Sequence, residues 1–267
     1  MSATEIAQMM ETGDLPAALA AATSYVQKAP GDTGARYLLA ELLCFTGAYE
    51  RADAQLAIVM NQDPSSMVPV GLLRHLIRAE TARQDWYRSG RPPEFLVAMN
   101  ETARLHLEAG VKARAGDAAS AARDLAEAES LRRPHAGICN GQDFDDFRDL
   151  DDSCGGLLEV LSADGQYFWV DFDDIAALHF EAPRRPSELL WRQTRLALRD
   201  GSTGTVYVPT IYAGTESGSD QHRLGRVTDW VERDGMVLGQ GQRCFLVGDE
   251  SLGLLDLKSI EFAHAAQ

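Results

Sequence analysis

The strongest constraint on this chain is a spacing. "GDLPAALAAATSYVQKAP" runs from Gly13 to Pro30 and "GAYERADAQLAIVMNQDP" from Gly47 to Pro64, so the glycine and the proline each recur 34 residues apart. A third unit, "GDAASAARDLAEAESLRRP", spans Gly116 to Pro134 and is one residue longer. Glycine permits the turn that opens each unit, and proline stops the helix that ends it. Ala18, Ala52 and Ala121 each fall five residues past the turn glycine. A large side chain there would hold paired helices apart. Tyr49, Ala52, Leu56 and Val59 make one apolar stripe at helical spacing.

Thirty-four residues is the tetratricopeptide period, in which each helix–turn–helix buries its apolar face on its neighbours. Leu39 and Ala40 occupy packing positions of a first helix, and Ser2 with Glu5 reads as a capping box. "MVPVGLLRHLIRAETARQDWY" predicts a further helix with Leu72, Leu73, Leu76 and Ile77 facing inward. Gly90, Pro92 and Pro93 then interrupt, and the next helix is expected from about Glu94 to Arg114. A solenoid this short caps itself poorly, so one end is expected to pack on the rest of the chain.

After Pro134 the period drops towards 2. "LLEVLSADGQYFWVDF" reads as strand, turn, strand, with Asp164-Gly165 as the hairpin signal. "TRLALRDGSTGTVYVPTIY" repeats that form, and "DWVERDGMVLGQGQRCFLVG" and "SLGLLDLKSIEF" supply more short strands. One short helix is expected from Ser187 through Leu189, Leu190 and Trp191. The fold class is therefore α+β: a tetratricopeptide-like helical-repeat domain over 1–138, then a β-rich domain with short helices over 139–267. The boundary is expected near 134–142.

Charge narrows the partners. Of the formal −15, residues 143–174 alone carry eleven acids against one arginine. Such a balance opposes phosphate binding and anionic membranes, so neither nucleic acid nor membrane insertion is expected. Four cysteines without a CxxC, no basic leader and no long apolar run favour a cytoplasmic protein.

The acidity peaks in "QDFDDFRDLDDSCGG", with Asp143, Asp145, Asp146, Asp149, Asp151 and Asp152 answered by Arg148. It does not fit a calcium loop. Starting at Asp149, the sixth position is Cys154 and the twelfth is Val160, where glycine and glutamate belong. A solvated, turn-rich entry into a strand is the expectation. The histidines (His75, His106, His135, His179, His222, His264) never pair at metal spacing, and His135, Cys139 and Cys154 are too dispersed for a zinc motif. "GQGQRC" and "GSTGT" read as turns, and Asp220 with His222 sits in a polar loop. No catalytic, cofactor or metal residue is assigned.

The aromatics offer more. Alternation in "QYFWVDF" puts Tyr167, Trp169 and Asp171 on one face and Phe168, Val170 and Phe172 on the other. One face is expected to be core. If the other were exposed beside the aspartates, it would form an acidic-rimmed apolar patch suited to a protein partner. The candidate partner-binding residues are Phe144, Asp145, Asp146, Phe147, Asp151, Trp169 and Trp191. The concave face of the repeats is the other candidate cleft.

Several of these stretches resemble the ImpE (TagJ) family, accessory proteins of bacterial type VI secretion systems. They are "GQDFDDFRDLDDSCGGLLEVL", "GQYFWVDFDDIAALHFEAP", "LLWRQTRLALRDG", "VPTIYAGTES" and "LLDLKSIEF". Matching positions include Gly141, Phe144, Asp151, Ser153, Glu159, Tyr167, Trp169, Trp191, Pro209 and Tyr212. The aspartates of 143–152 exceed the family's usual number. The resemblance implies a repeat domain joined to a β-rich domain and a non-catalytic role. It also implies binding to the N-terminal amphipathic helix of the small sheath subunit, with an effect on sheath assembly or recycling. A metal-dependent hydrolase or a generic repeat scaffold are the competing readings. Calcium titration of the protein is expected to be silent or millimolar. A micromolar isotherm abolished by Asp149→Ala and Asp151→Ala would refute that reading of the acidic segment.

Overall fold

A computed structural model describes residues 3–263; Ser2 of the expected capping box and His264 lie outside them. Among the described residues, the first half is helical: α1 (Ala3–Thr12), α2 (Leu15–Lys28), α3 (Thr33–Cys44), α4 (Tyr49–Gln62), α5 (Met67–Arg88), α6 (Glu101–Arg114) and α7 (Ala118–Leu131). The turn glycines Gly13, Gly47 and Gly116 all take left-handed φ, at +84°, +68° and +82°. Asp14, Asp32 and Asp117 cap the helices that follow them with their carboxylates. Ala18, Ala52 and Ala121 are fully buried, as close helix pairing requires.

The strands in order are β1 (Glu94–Phe95), β2 (Gly137–Cys139), β3 (Gln142–Phe144), β4 (Phe147–Asp149), β5 (Leu157–Ser162), β6 (Tyr167–Asp171) and β7 (Ile175–Phe180). Then come β8 (Trp191–Leu198), β9 (Thr203–Pro209), β10 (Thr228–Arg233), β11 (Met236–Gly241), β12 (Cys244–Val247), β13 (Glu250–Gly253) and β14 (Ser259–Phe262). A short helix, α8 (Asp220–Arg223), precedes β10. Nine strands form one sheet in the order β1-β6-β5-β9-β8-β7-β14-β2-β3. β13-β12-β4 make a second sheet, and β10-β11 a separate hairpin.

The large sheet is covered on both faces. Leu157, Leu161, Tyr167, Trp169, Trp191 and Tyr207 join the core built by α1–α5. Leu158, Val160, Val170, Phe172 and Leu178 join a second core with Phe147, Phe245 and Phe262. In that core the Phe147 ring stacks on Phe245 with centroids 5.0 Å apart. The helical half thus has no closed core of its own. Its inner helix α5 lies on the sheet, with Trp86 edge-on to Trp169 at 5.2 Å.

Two expected helices are corrected. The helix expected from Glu94 begins at Glu101, because Glu94 and Phe95 pair in parallel with Phe168 and Trp169, and Asn100 caps the helix through Ala103 N–H. The helix expected from Ser187 is only a 3₁₀ turn, Pro186–Leu189, and Trp191 opens β8 opposite Pro209. Nucleating a helix is costly, and here the sheet takes the chain from Trp191 onward instead.

Gly110 of α6 marks where helix and core meet most tightly: a Cβ there would lie 2.3 Å from Trp86 Cζ2. Gly110→Ala is expected to lower stability by about 1–3 kcal/mol through overpacking, despite the helix propensity of alanine. Gly71 of α5 has open space around it, so Gly71→Ala should instead stabilise by up to ~1 kcal/mol. Urea unfolding of both variants checks the opposite signs.

Candidate functional site

Strand alternation sets the direction of Glu159. Its neighbours Leu157 and Leu161 face the helices while Leu158 and Val160 face the far core, so Glu159 points at α5. It is fully buried. Arg83 of α5 donates Nη2 to its Oε2 at 2.9 Å, and Arg243, just before β12, donates to the same oxygen. Tyr87 and Tyr167 donate their hydroxyls to Oε1, the former at 3.1 Å. Arg83 also reaches Glu80 Oε1 at 3.1 Å, and Glu80 Oε2 accepts Trp191 Nε1–H at 3.0 Å. Helix and sheet therefore share one buried network.

Burial alone would push the Glu159 carboxyl up, but the charges of Arg83 and Arg243 outweigh it and hold the pKa near 2. Asp149 shows the opposite balance. Burial raises it to about 7, Arg243 only partly opposes this, and neighbouring Asp151 adds repulsion. Arg243 Nη1 sits 3.4 Å from Asp149 Oδ2 without a hydrogen bond between them. Both oxygens of Glu159 are engaged by fixed donors. That is the chemistry of a clamp rather than of a general base, which needs an oxygen free to take a proton.

The acidic segment is not the solvated loop expected from its composition. Asp149 and Asp151 are buried: Asp149 Oδ1 accepts from Tyr212 at 2.8 Å, and Asp151 Oδ2 from the Gly239 N–H at 2.8 Å. Asp146 takes two hydrogen bonds from Arg132, at 2.7 and 2.6 Å, and Asp152 one from Arg148 at 2.9 Å. Only Asp143 and Asp145 of the six are exposed. Arg132 and Arg243, outside the segment, add counter-charge to that of Arg148.

The aromatic candidates also separate. Phe144 and Phe147 sit in the far core, Trp169 and Trp191 in the near one, and all four are at least nine-tenths buried. The sheet lies between the pairs, so they form no common patch, because the small second sheet covers the face that alternation left open. Of the seven residues expected at a partner surface, Asp145 is exposed, Asp146 is half-buried, and the other five are buried.

Elsewhere, His222 does not pair with Asp220. Its Nε2 bonds Asp229 at 2.9 Å, and its Nδ1 meets Ser219 Oγ at 2.8 Å in a capping box that opens α8. A polar groove of about 600 Å³ lies on the repeat half between α4 and α5, lined by Tyr49, Asp53, Met60, Arg74, Arg78 and Arg91. Arg74 forks onto Asp53 at 2.6 and 3.0 Å. The helical stripe gave no sign of these arginines: Arg74 and Arg78 belong to α5, Arg78 donating to the carbonyls of Asp164 and Gly165, and Arg91 follows the helix. A smaller cavity of about 280 Å³ between α6, α7 and β11 is lined by Trp86, His106, Leu125 and Met236.

The family model described as "ImpE protein" matches residues 141–261. Residues 141–261 thus carry an ImpE domain. A tetratricopeptide-repeat model matches residues 9–69, the part of this chain that holds α2 to α4. The type VI secretion system accessory component TagJ of Pseudomonas aeruginosa is 29% identical over 263 residues, covering 96% of this chain and 90% of TagJ. A crystal structure of a Vibrio parahaemolyticus protein superposes with a TM-score of 0.90 at 29% identity, covering 97% and 98% of the two chains.

Removing the Glu159 charge leaves two arginines buried with less compensation. Glu159→Gln is expected to cost ~3–5 kcal/mol at neutral pH. Because the folded pKa lies near 2, below the ordinary 4.5, the stabilisation is complete above that ordinary value. It is lost as the pH falls from there towards 2. Urea titrations across that window should show wild type and variant converging. Asp149→Asn should cost less than half as much, since burial already favours its neutral form.

Proposed function

We propose that this chain is a non-catalytic, cytoplasmic accessory protein of a bacterial type VI secretion system, and that it binds a helix of a contractile-sheath subunit. The observation that carries this reading is the match to TagJ across nearly the whole chain. No described helix is long and apolar enough to cross a membrane. The Ser219–His222–Asp229 contacts serve as a helix cap, with the hydroxyl held by the backbone N–H of His222 itself, which favours the non-catalytic role over a hydrolase.

The groove between α4 and α5 suits the partner better than the junction does. Tyr49, Met60 and Ile77 give it apolar ground, while Arg74, Arg78 and Arg91 outnumber Glu50 and Asp53 along its edge and leave a small positive excess. Helix-in-groove recognition needs that combination: a cleft for the apolar stripe and a charged rim that sets its register. The occupant would be an amphipathic helix with acidic flanks, which the arginines steer and orient.

The test is binding of a labelled peptide carrying the N-terminal helix of the small sheath subunit. Met60→Ala is expected to weaken it by ~1–2 kcal/mol as a lost anchor contact. Arg91→Ala should mainly slow association and flatten the salt dependence. Asp145→Asn, on the acidic segment, should leave affinity unchanged. Loss of affinity in Asp145→Asn with none in Met60→Ala would move the site back to that segment. No binding by the wild-type chain would overturn the sheath reading.

A further inference from the structure

His135 lies in the linker between α7 and β2, with its ring edge-on to Phe172 and Phe262 at 6.0 and 5.9 Å between centroids. The residue is 6% exposed. Among the described residues its imidazole makes no hydrogen bond, and Nε2 is buried without a partner. Nδ1 faces Asp173 Oδ1 at 3.8 Å, beyond hydrogen-bond reach. A buried imidazole left in this state is unusual, since buried polar side chains nearly always find a partner.

Two carboxylates converge on the same point. Ligand atoms of His135, Asp171 and Asp173 all lie within 4.8 Å of one another. Asp171 is pinned in place: its Oδ2 accepts from Asn100 at 2.8 Å and its Oδ1 from the Asp173 N–H at 2.8 Å. Among the described residues, no lysine or arginine is ion-paired with either carboxylate. Of the two arginines near His135, Arg132 is bonded to Glu129 and Asp146, and Arg199 spends its guanidinium on the carbonyls of Asp173 and Ala263, at 2.8 and 3.0 Å. Among the described residues, two adjacent acids and an unused imidazole thus face one another with no arginine or lysine bonded to their side chains.

We propose that His135, Asp171 and Asp173 bind a divalent transition ion of the zinc type. An imidazole nitrogen with two carboxylate oxygens suits such an ion, whereas calcium and magnesium prefer oxygen alone. Ligands around a tetrahedral ion with bonds of ~2.1 Å stand roughly 3.4 Å apart, so a small closure of the Asp173 side chain completes the set. Asp173 is half-exposed, with 46% of its side chain accessible. The site is therefore open to solvent on that side, where water supplies the fourth ligand. The bound ion ties the linker leaving α7 to the turn after β6, which Asn100 already fastens to the start of α6. This inference is independent of the sheath reading.

The test is equilibrium dialysis of the full chain against Zn²⁺, with Co²⁺ as a spectroscopic probe. One ion per chain at micromolar or tighter affinity is expected, with a Co²⁺ visible spectrum that lacks the thiolate charge-transfer band a cysteine ligand would give. Asp173→Asn, on the half-exposed side chain, should keep the fold and weaken binding by at least about tenfold. His135→Asn should abolish binding, and a thermal melt shows whether it still folds. Asp143→Asn, an exposed acid of the neighbouring segment, should bind like wild type. A Kd weaker than about 100 micromolar, equal binding by Asp173→Asn, or a thiolate band would each overturn the proposal.

Discussion

Glu159 is fully buried in the middle of the molecule, held charged by two arginines that are 160 residues apart in the chain. Arg83 belongs to the helical half, and Arg243 to the start of a strand in the small second sheet. An isolated carboxylate in such a place would protonate; paired with two guanidiniums it stays ionised and fixes the geometry of its partners. The position of α5 on the sheet follows from this. Trp86 meets Trp169, Trp191 reaches Glu80, and Tyr87 reaches Glu159, all from one face of one helix. Apolar contact alone would let a helix slide on a sheet. Directional ion pairs do not.

That constraint explains why the function has to be sought on other surfaces. The residues with the most chemical potential, Glu159, Asp149, Asp151 and the tryptophans, are consumed in joining the two halves. What remains for a partner is the outer side of α4 and α5, where the groove arginines stand. Holding α5 from behind fixes one wall of that groove. The His135 cluster lies at the other seam, where the chain passes from helix to sheet.

The sequence made much of the architecture legible. The 34-residue spacing fixes helical repeats because glycine and proline act locally, and Gly13, Gly47 and Gly116 adopt the left-handed turns their type permits. Alternation in "QYFWVDF" assigns opposite faces correctly, since period 2 is a property of the strand itself. Errors arose where a local signal met a distant partner. Glu94 and Phe95 were drawn into the sheet by Phe168 and Trp169, and Trp191 by Pro209.

The candidate site was far less legible, for the same reason. Composition determined that residues 143–152 would be strongly acidic; it held no information on which aspartates would meet Arg132 or be shut inside with Arg243 and Tyr212. Nor could alternation reveal that the second face of β6 is covered, because the cover comes from β4 and β12, which are remote in the chain. Helical repeats, strand periods, turns and family were determined by the sequence itself, through forces acting over a few residues. Burial of the charges, the shape of the groove and the meeting of His135 with Asp171 and Asp173 were decided by tertiary structure alone, because each depends on side chains that only folding brings within a few ångströms.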